Sequence, residues 1–277
     1  MFSLNLRVAP AALVLPILLA VAGCGQAQDP KPTASVGAAA APKAVDDGVP
    51  APVEGLKKLG FEVVSEFDAP GGLRGFAGVV GGQQPAAAYL TPDGRHVVVG
   101  SLFDAQGNDV AAALLADKVA GPMTARIWSQ LESSAWVADG KASAPRVVYA
   151  FSDANCPYCH KFWDAARPWV DAGKVQIRHM MVGVIREDSP GKAAAILGAA
   201  DPGAAFLQNE NSFDRGGIKP VAISAEVGRK LEANQRLMME LGFQGTPGIL
   251  FKDAQGHVQR RSGLPQGADL ELMFGPR

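Results

Sequence analysis

The stretch Phe151–Trp163, "FSDANCPYCHKFW", sets Cys156 and Cys159 three positions apart, where a continuous apolar run ends and a helical pattern begins. The run before it, Val147–Phe151, reads as a strand buried on both faces. The segment after it, "HKFWDAARPWVDAG", stays in helical register as far as Pro168 and Gly173. Such a pair is a redox couple, half of a metal site, or a structural bridge. Tetrahedral zinc needs four ligands, and beyond this pair the chain offers His96, His160, His179 and His257 without a second CxxC or an H-x₃₋₅-H. A bridge closing so short a loop would stabilise little. Redox chemistry remains, and it has a physical case of its own. Unpaired N–H groups and the helix dipole at a helix N-terminus favour thiolate over thiol. Cys156 is therefore expected to be the exposed nucleophile, and Cys159, one turn further in and shielded, the resolving thiol. Pro157 suits the first helical turn, followed by Tyr158. His160 and Lys161 either add positive charge or form a solvated helix surface.

Outward from this motif, "KVQIRHMMVGVI" reads as a second strand, followed by a mostly helical excursion over about 189–241. "GTPG" at Gly245–Gly248 then precedes two strands flanking a turn at Asp253–Gly256, and a last helix. A Thr-Pro here is either an ordinary trans turn or a cis bond. The order resembles the thioredoxin fold with an inserted helical subdomain. That resemblance makes Thr246-Pro247 a cis-proline loop packed on the CxxC, with Thr246 offering its backbone to an extended substrate segment.

Upstream, residues 1–28 read as an export signal, with Arg7 before an apolar run too short and proline-interrupted for a membrane-spanning helix. "VAGC" at 21–24 resembles a lipobox, which would make Cys24 a lipidated first residue; cleavage after Ala27 is the other reading. Residues 29–48 are an Ala/Pro tether. A small strand-rich domain is expected over 49–109, with "TPDG" at Thr91–Gly94 closing a hairpin. A linker helix is expected over 110–140, broken by Gly121 and Pro122 and anchored by Leu114, Leu115, Ile127, Leu131 and Trp136. A catalytic domain follows over 141–277. With 277 residues, 48% hydrophobic, 19% charged and a formal charge of −1, the chain gives no general electrostatic reason to bind nucleic acid.

"PAPVEGLKKLGFEVVSEFDAPGGLRGF", "YLTPDG", the CxxC stretch, "VGVI", "AAAIL" and "SGLPQGADLELMFG", taken in order, resemble the DsbC/DsbG group of periplasmic thiol:disulfide interchange proteins over about 49–275. The extra cysteine pair of DsbC is absent, which points to the DsbG branch. The resemblance implies an α+β chain in which a cystatin-like domain pairs two subunits into a V-shaped homodimer. A linker helix then carries a thioredoxin-like domain on each arm. It also implies disulfide isomerisation or reduction, reduction of sulfenylated cysteines, chaperone-like binding of partly folded or oxidised periplasmic clients, and renewal by a DsbD-type membrane reductase. No cofactor or metal is implied beyond the redox-active pair Cys156–Cys159. Two features depart from the pattern. Ala150 stands where thioredoxin has a buried acid, leaving proton handling for Cys159 unassigned, and Cys24 with its tether is atypical. A redox-inactive holdase and a DsbA-like oxidase are the competing functions. The four tryptophans read as core or interface packing, and Arg260-Arg261 as hairpin surface.

Overall fold

The computed structural model describes Pro42–Lys43 and residues 48–277; the expected signal, Cys24 and most of the tether lie outside the described residues. The N-terminal part is an antiparallel sheet of β1 (Pro42–Lys43), β2 (Phe61–Asp68), β3 (Arg74–Val80), β4 (Gln84–Leu90) and β5 (Val97–Val99), in that spatial order. Strand alternation divides its apolar side chains between two faces. Phe61, Phe76, Ala88 and Leu90 meet Val53 and Leu56 from α1 (Ala51–Gly55) and the 3-10 turn after it. Phe67, Ala77 and Tyr89 meet Val119, Leu114 and Leu115 from the connecting helix. The expected hairpin forms between β4 and β5, with Tyr89 opposite Val98.

The connecting helix differs from its expectation. α2 (Ala112–Leu115), a π turn (Ala116–Ala120) and α3 (Gly121–Ser133) run on without a break at Gly121-Pro122. The wider turn sends the Gly121 N–H to the Ala116 carbonyl, and Pro122 falls in the first turn of α3, where no N–H is required of it. The helix also stops short of residue 140. Ser133 and Ser134 hydroxyls donate to the Gln130 and Leu131 carbonyls at 3.1 and 2.8 Å, and Trp136–Asp139 becomes a strand, β6.

The second sheet has the order β10-β9-β7-β8-β6. Its central strands β7 (Arg146–Asp153) and β8 (Val175–Val182) are parallel, β9 (Gly248–Lys252) runs antiparallel to β7, and β10 (Val258–Ser262) completes a hairpin. On one face Val148, Ala150 and Phe251 bury Phe162, Ala166 and Trp169 of α4 (Pro157–Val170) and Phe274 of α8 (Ala268–Phe274). On the other, Tyr149, Phe151 and Leu250 bury Ile127 and Leu131 of α3 and Leu237 and Met238 of α7 (Ala225–Glu240). Between β8 and α7 stand α5 (Ser189–Leu197) and α6 (Pro202–Asn211), packed on Trp163 and Met181. This is a thioredoxin-like α+β arrangement with a helical insertion, and it delivers the C-terminal end of β7 to the start of α4.

Candidate active site

Cys156 is the N-cap of α4 (φ −81°, ψ 114°), so its sulfur folds back over the first helical turn. The sulfur accepts from the Cys159 N–H at 3.3 Å, and its thiol donates to the Thr246 carbonyl at 3.4 Å. Pro157 occupies the first turn, and the Thr246-Pro247 bond is cis, the second of the two readings open in the sequence. Both thiols are free.

The expected exposure of Cys156 is corrected. The residue is only 2% exposed and Cys159 5%, because the sulfur lies between the α4 backbone and the Thr246 carbonyl. The two nevertheless differ in electronic character. A hydrogen bond from the Cys159 side chain, helped by Thr246 and the backbone N–H groups of the turn, outweighs burial and lowers the Cys156 pKa to about 6. Burial, reinforced by the developing charge on Cys156, pushes the Cys159 thiol well up. Thr246 Oγ1 is buried without a partner, leaving its hydroxyl available to a thiolate.

His160 and Lys161 are not among the groups that lower Cys156. His160 turns away, its Nδ1 2.8 Å from Glu210 Oε2 and its ring stacked 4.4 Å from Phe213. Lys161 lies 5.7 Å above the ring of Tyr158, which is exposed.

Sequence reasoning missed the network that holds the motif in place. The buried Asp153 carboxylate accepts from Asn155 N–H at 2.8 Å, Ser189 Oγ at 2.8 Å, Val184 N–H at 2.7 Å and Ile185 N–H at 3.0 Å. Buried Lys192 donates to Asn155 Oδ1 and the Gly216 carbonyl, each at 2.7 Å. The turn before Cys156 is thereby tied to the loop after β8 and to the inserted helices. The only sequence signal for this was an acid at the end of an apolar strand. That tied loop carries exposed Val184 and Ile185, which with Met239 and Gly242–Gly245 line a cavity of about 570 Å³ whose lining ends at Gly245, the residue before Thr246.

Ala150 is fully buried, and its register neighbour on β8 is His179. That imidazole turns to Ser152 Oγ at 2.9 Å and stands 3.7 Å from Asp139, which Arg167 also engages. Among the described residues no cluster of three His, Cys, Asp or Glu could hold a metal ion.

A thioredoxin-like domain family matches residues 137–274, starting inside β6. The thiol:disulfide interchange protein DsbG of Pseudomonas aeruginosa is 49% identical over 230 residues, covering 83% of this chain and 90% of that protein. DsbG of Escherichia coli is 39% identical over 228 residues, covering 82% and 92%. DsbC of Dickeya dadantii is 24% identical over 206 residues, covering 72% and 76%. With two thiols of opposed acidity at a helix start and likeness to DsbG across the N-terminal sheet as well as the catalytic one, the chain belongs to the DsbG family of thiol:disulfide interchange proteins and is a thiol:disulfide oxidoreductase.

Proposed function

We propose that the chain reduces or isomerises non-native disulfides, and reduces sulfenylated cysteines, in exported client proteins, with Cys156 as nucleophile and Cys159 as resolving thiol. The observation that carries this is the split acidity of the pair: Cys156 lowered to about 6 and Cys159 raised by burial. The Cys156 thiolate attacks a client disulfide, forming a mixed disulfide and releasing one client thiolate. Cys159 then gives up its proton and attacks Cys156, releasing the second client thiolate and leaving Cys156–Cys159 oxidised. With a client sulfenic acid the first step expels hydroxide, which takes a proton from solvent and leaves as water, and the same resolution follows. Isomerisation occurs when a client thiol attacks the mixed disulfide before Cys159 does. Two electrons from a DsbD-type membrane reductase would restore the dithiol.

Access to the buried sulfur follows from its ionisation. Only the thiol can donate to the Thr246 carbonyl, so ionisation breaks that contact and frees the carbonyl for a client, while the Cys159 N–H stays on the sulfur. An extended client segment can then pair with the backbone at Thr246 while its side chains enter the apolar cavity beside Val184 and Met239. Chaperone-like binding uses the same apolar rim.

The homodimer is assigned to β5. This short edge strand leaves Val98 61%, Val99 45% and nearby Phe103 62% exposed, a combination suited to pairing with a second copy. Export to the periplasm, with or without lipid on Cys24, rests on the sequence of residues 1–28, and the mass of the mature N-terminus decides between the two forms.

The test is to trap clients on Cys159→Ala. Mixed disulfides through Cys156, with clients carrying several cysteines, support isomerisation or disulfide reduction; clients with a single cysteine support sulfenic-acid reduction. Recovery of no mixed disulfide, with holdase activity intact after both cysteines are replaced by serine, would overturn the redox reading.

A further inference from the structure

The hairpin carries two adjacent arginines that strand alternation sends to opposite faces. Arg261 turns to α8, where its Nε donates to Asp269 Oδ1 at 3.1 Å and its guanidinium lies 5.8 Å from the Phe251 ring. Arg260 turns to α3. It is half-buried, and among the described residues its guanidinium has no hydrogen-bond acceptor and no carboxylate partner. It lines a cavity of about 340 Å³ where the β3–β4 turn, the connecting helix and the hairpin meet, together with Gln83, Gln84, Thr124, His257 and Gln259. No acidic side chain lines that cavity.

The charge that acts on Arg260 has the same sign. Burial, and then the positive charge of Arg126, lower its pKa. Arg126 borders a neighbouring recess that also holds Glu62 and Lys118, and it forms no ion pair with Glu62. A half-buried guanidinium under the influence of a second positive charge and without an anion of its own is a destabilising arrangement. The surrounding neutral groups can donate. Thr124 Oγ1 accepts from the Val258 N–H at 2.9 Å, which leaves its own hydrogen free.

We propose that this seam is a binding site for a small phosphate-class oxyanion, with Arg260 as a bidentate fork, Arg126 adding positive charge from the neighbouring recess, and the Gln83 and Thr124 side chains as neutral donors. A tetrahedral anion with several acceptor oxygens matches this donor set better than a single carboxylate does. The cavity admits an ion of that size, not a folded partner. Bound there, the anion bridges the N-terminal sheet to the catalytic hairpin. The same seam touches the segment leading to Thr246-Pro247, since a Cβ on Gly242 would lie 2.2 Å from Gln83 Nε2.

The test is calorimetric titration of the whole reduced protein with inorganic phosphate at constant ionic strength, with chloride as the control. Saturable binding with a dissociation constant of about 1 mM or tighter is expected, weakened at least tenfold in Arg260→Gln and measurably in Arg126→Gln. Arg126 sits on an exposed helical position, so its variant stays folded and keeps the test decisive. Alkylation of Cys156 should titrate as in the parent in both variants. Absence of saturable phosphate binding, or equal affinity in Arg260→Gln, overturns the proposal. So does binding only to vesicles containing phosphatidylglycerol, which would assign the charges to a membrane surface.

Discussion

The Cys159 N–H points at the Cys156 sulfur across 3.3 Å, so the same turn of α4 that supplies the resolving thiol also holds charge on the attacking one. Because Cys156 is lowered to about 6, it is mostly thiolate at neutral pH. Iodoacetamide should therefore label Cys156 at a rate that is flat above about pH 7 and falls tenfold per unit well below pH 6. Cys159 should stay unlabelled until the chain is unfolded. Cys159→Ala, which removes the largest lowering contribution, should move the inflection upward. A native inflection above pH 8 would remove the basis for assigning Cys156 as nucleophile.

The same shift has a stability consequence with a definite sign. A group whose folded pKa is depressed stabilises the fold above its unfolded pKa and loses that contribution as pH falls through its folded pKa. The reduced chain should thus lose stability relative to Cys156→Ser between pH 8 and pH 6, by about 2 kcal/mol. The raised Cys159 opposes this only above the ordinary thiol range, so the comparison belongs below pH 8.5. Urea midpoints of the two reduced proteins at several pH values check it. Parallel curves would mean that the thiolate is not held by the fold.

Thr246 separates reactivity from stability. Its hydroxyl is buried without a partner in the dithiol form, yet it lowers the pKa of both thiols. Thr246→Val keeps the shape and removes a donor that nothing else uses, so unfolding stability should change by less than about 1 kcal/mol. The alkylation inflection of Cys156 should nonetheless rise. A fall in stability with no movement of the inflection would make the hydroxyl purely structural.

The CxxC helix, the strands β7 and β8 and the Thr-Pro before β9 were legible because each carries a local signature: a helix start at the cysteines, an apolar run, a backbone-restricting proline. The π turn at Ala116–Ala120 was not, since Gly121-Pro122 reads as a break unless the preceding turn is known to widen. Nor was the end of α3, where serine hydroxyls and pairing with β8 turn Trp136 from helix to strand. The burial of Cys156 depends on a carbonyl 90 positions away, and the Asp153–Ser189–Lys192 network spans elements that no sequence period connects.

Asp153 anchors that network, and its removal should be costly. Asp153→Ala strands the buried donors of Asn155 and Ser189 and the part-buried N–H groups of Val184 and Ile185 at once. Unsatisfied buried donors cost about 1–3 kcal/mol each, so a loss of about 3 kcal/mol or more is expected in chemical unfolding. Hydrogen exchange should rise first at Val184 and Ile185, whose N–H groups lose their acceptor. Unchanged protection there would show that the loop is held by its packing instead.

The edge at β5 makes the last prediction. β5 pairs with β4 on one side only, through Val97, Val98 and Val99, and its outer edge has no strand beside it among the described residues. Exposed Val98 and Val99 on such an edge are a template for a second chain, and two copies meeting antiparallel would form a closed two-fold pair. Val98→Lys places a charge at the centre of that contact while leaving the buried faces of the sheet intact. The parent protein should sediment as a dimer at micromolar concentration and the variant as a monomer with an unchanged far-ultraviolet spectrum. In cells the variant's Cys156–Cys159 pair should become more oxidised, since in the proposed dimer the second subunit would shield the dithiol from an oxidising partner. A variant that stays dimeric would move the interface off β5, and a parent that sediments as a monomer would end the dimer proposal itself.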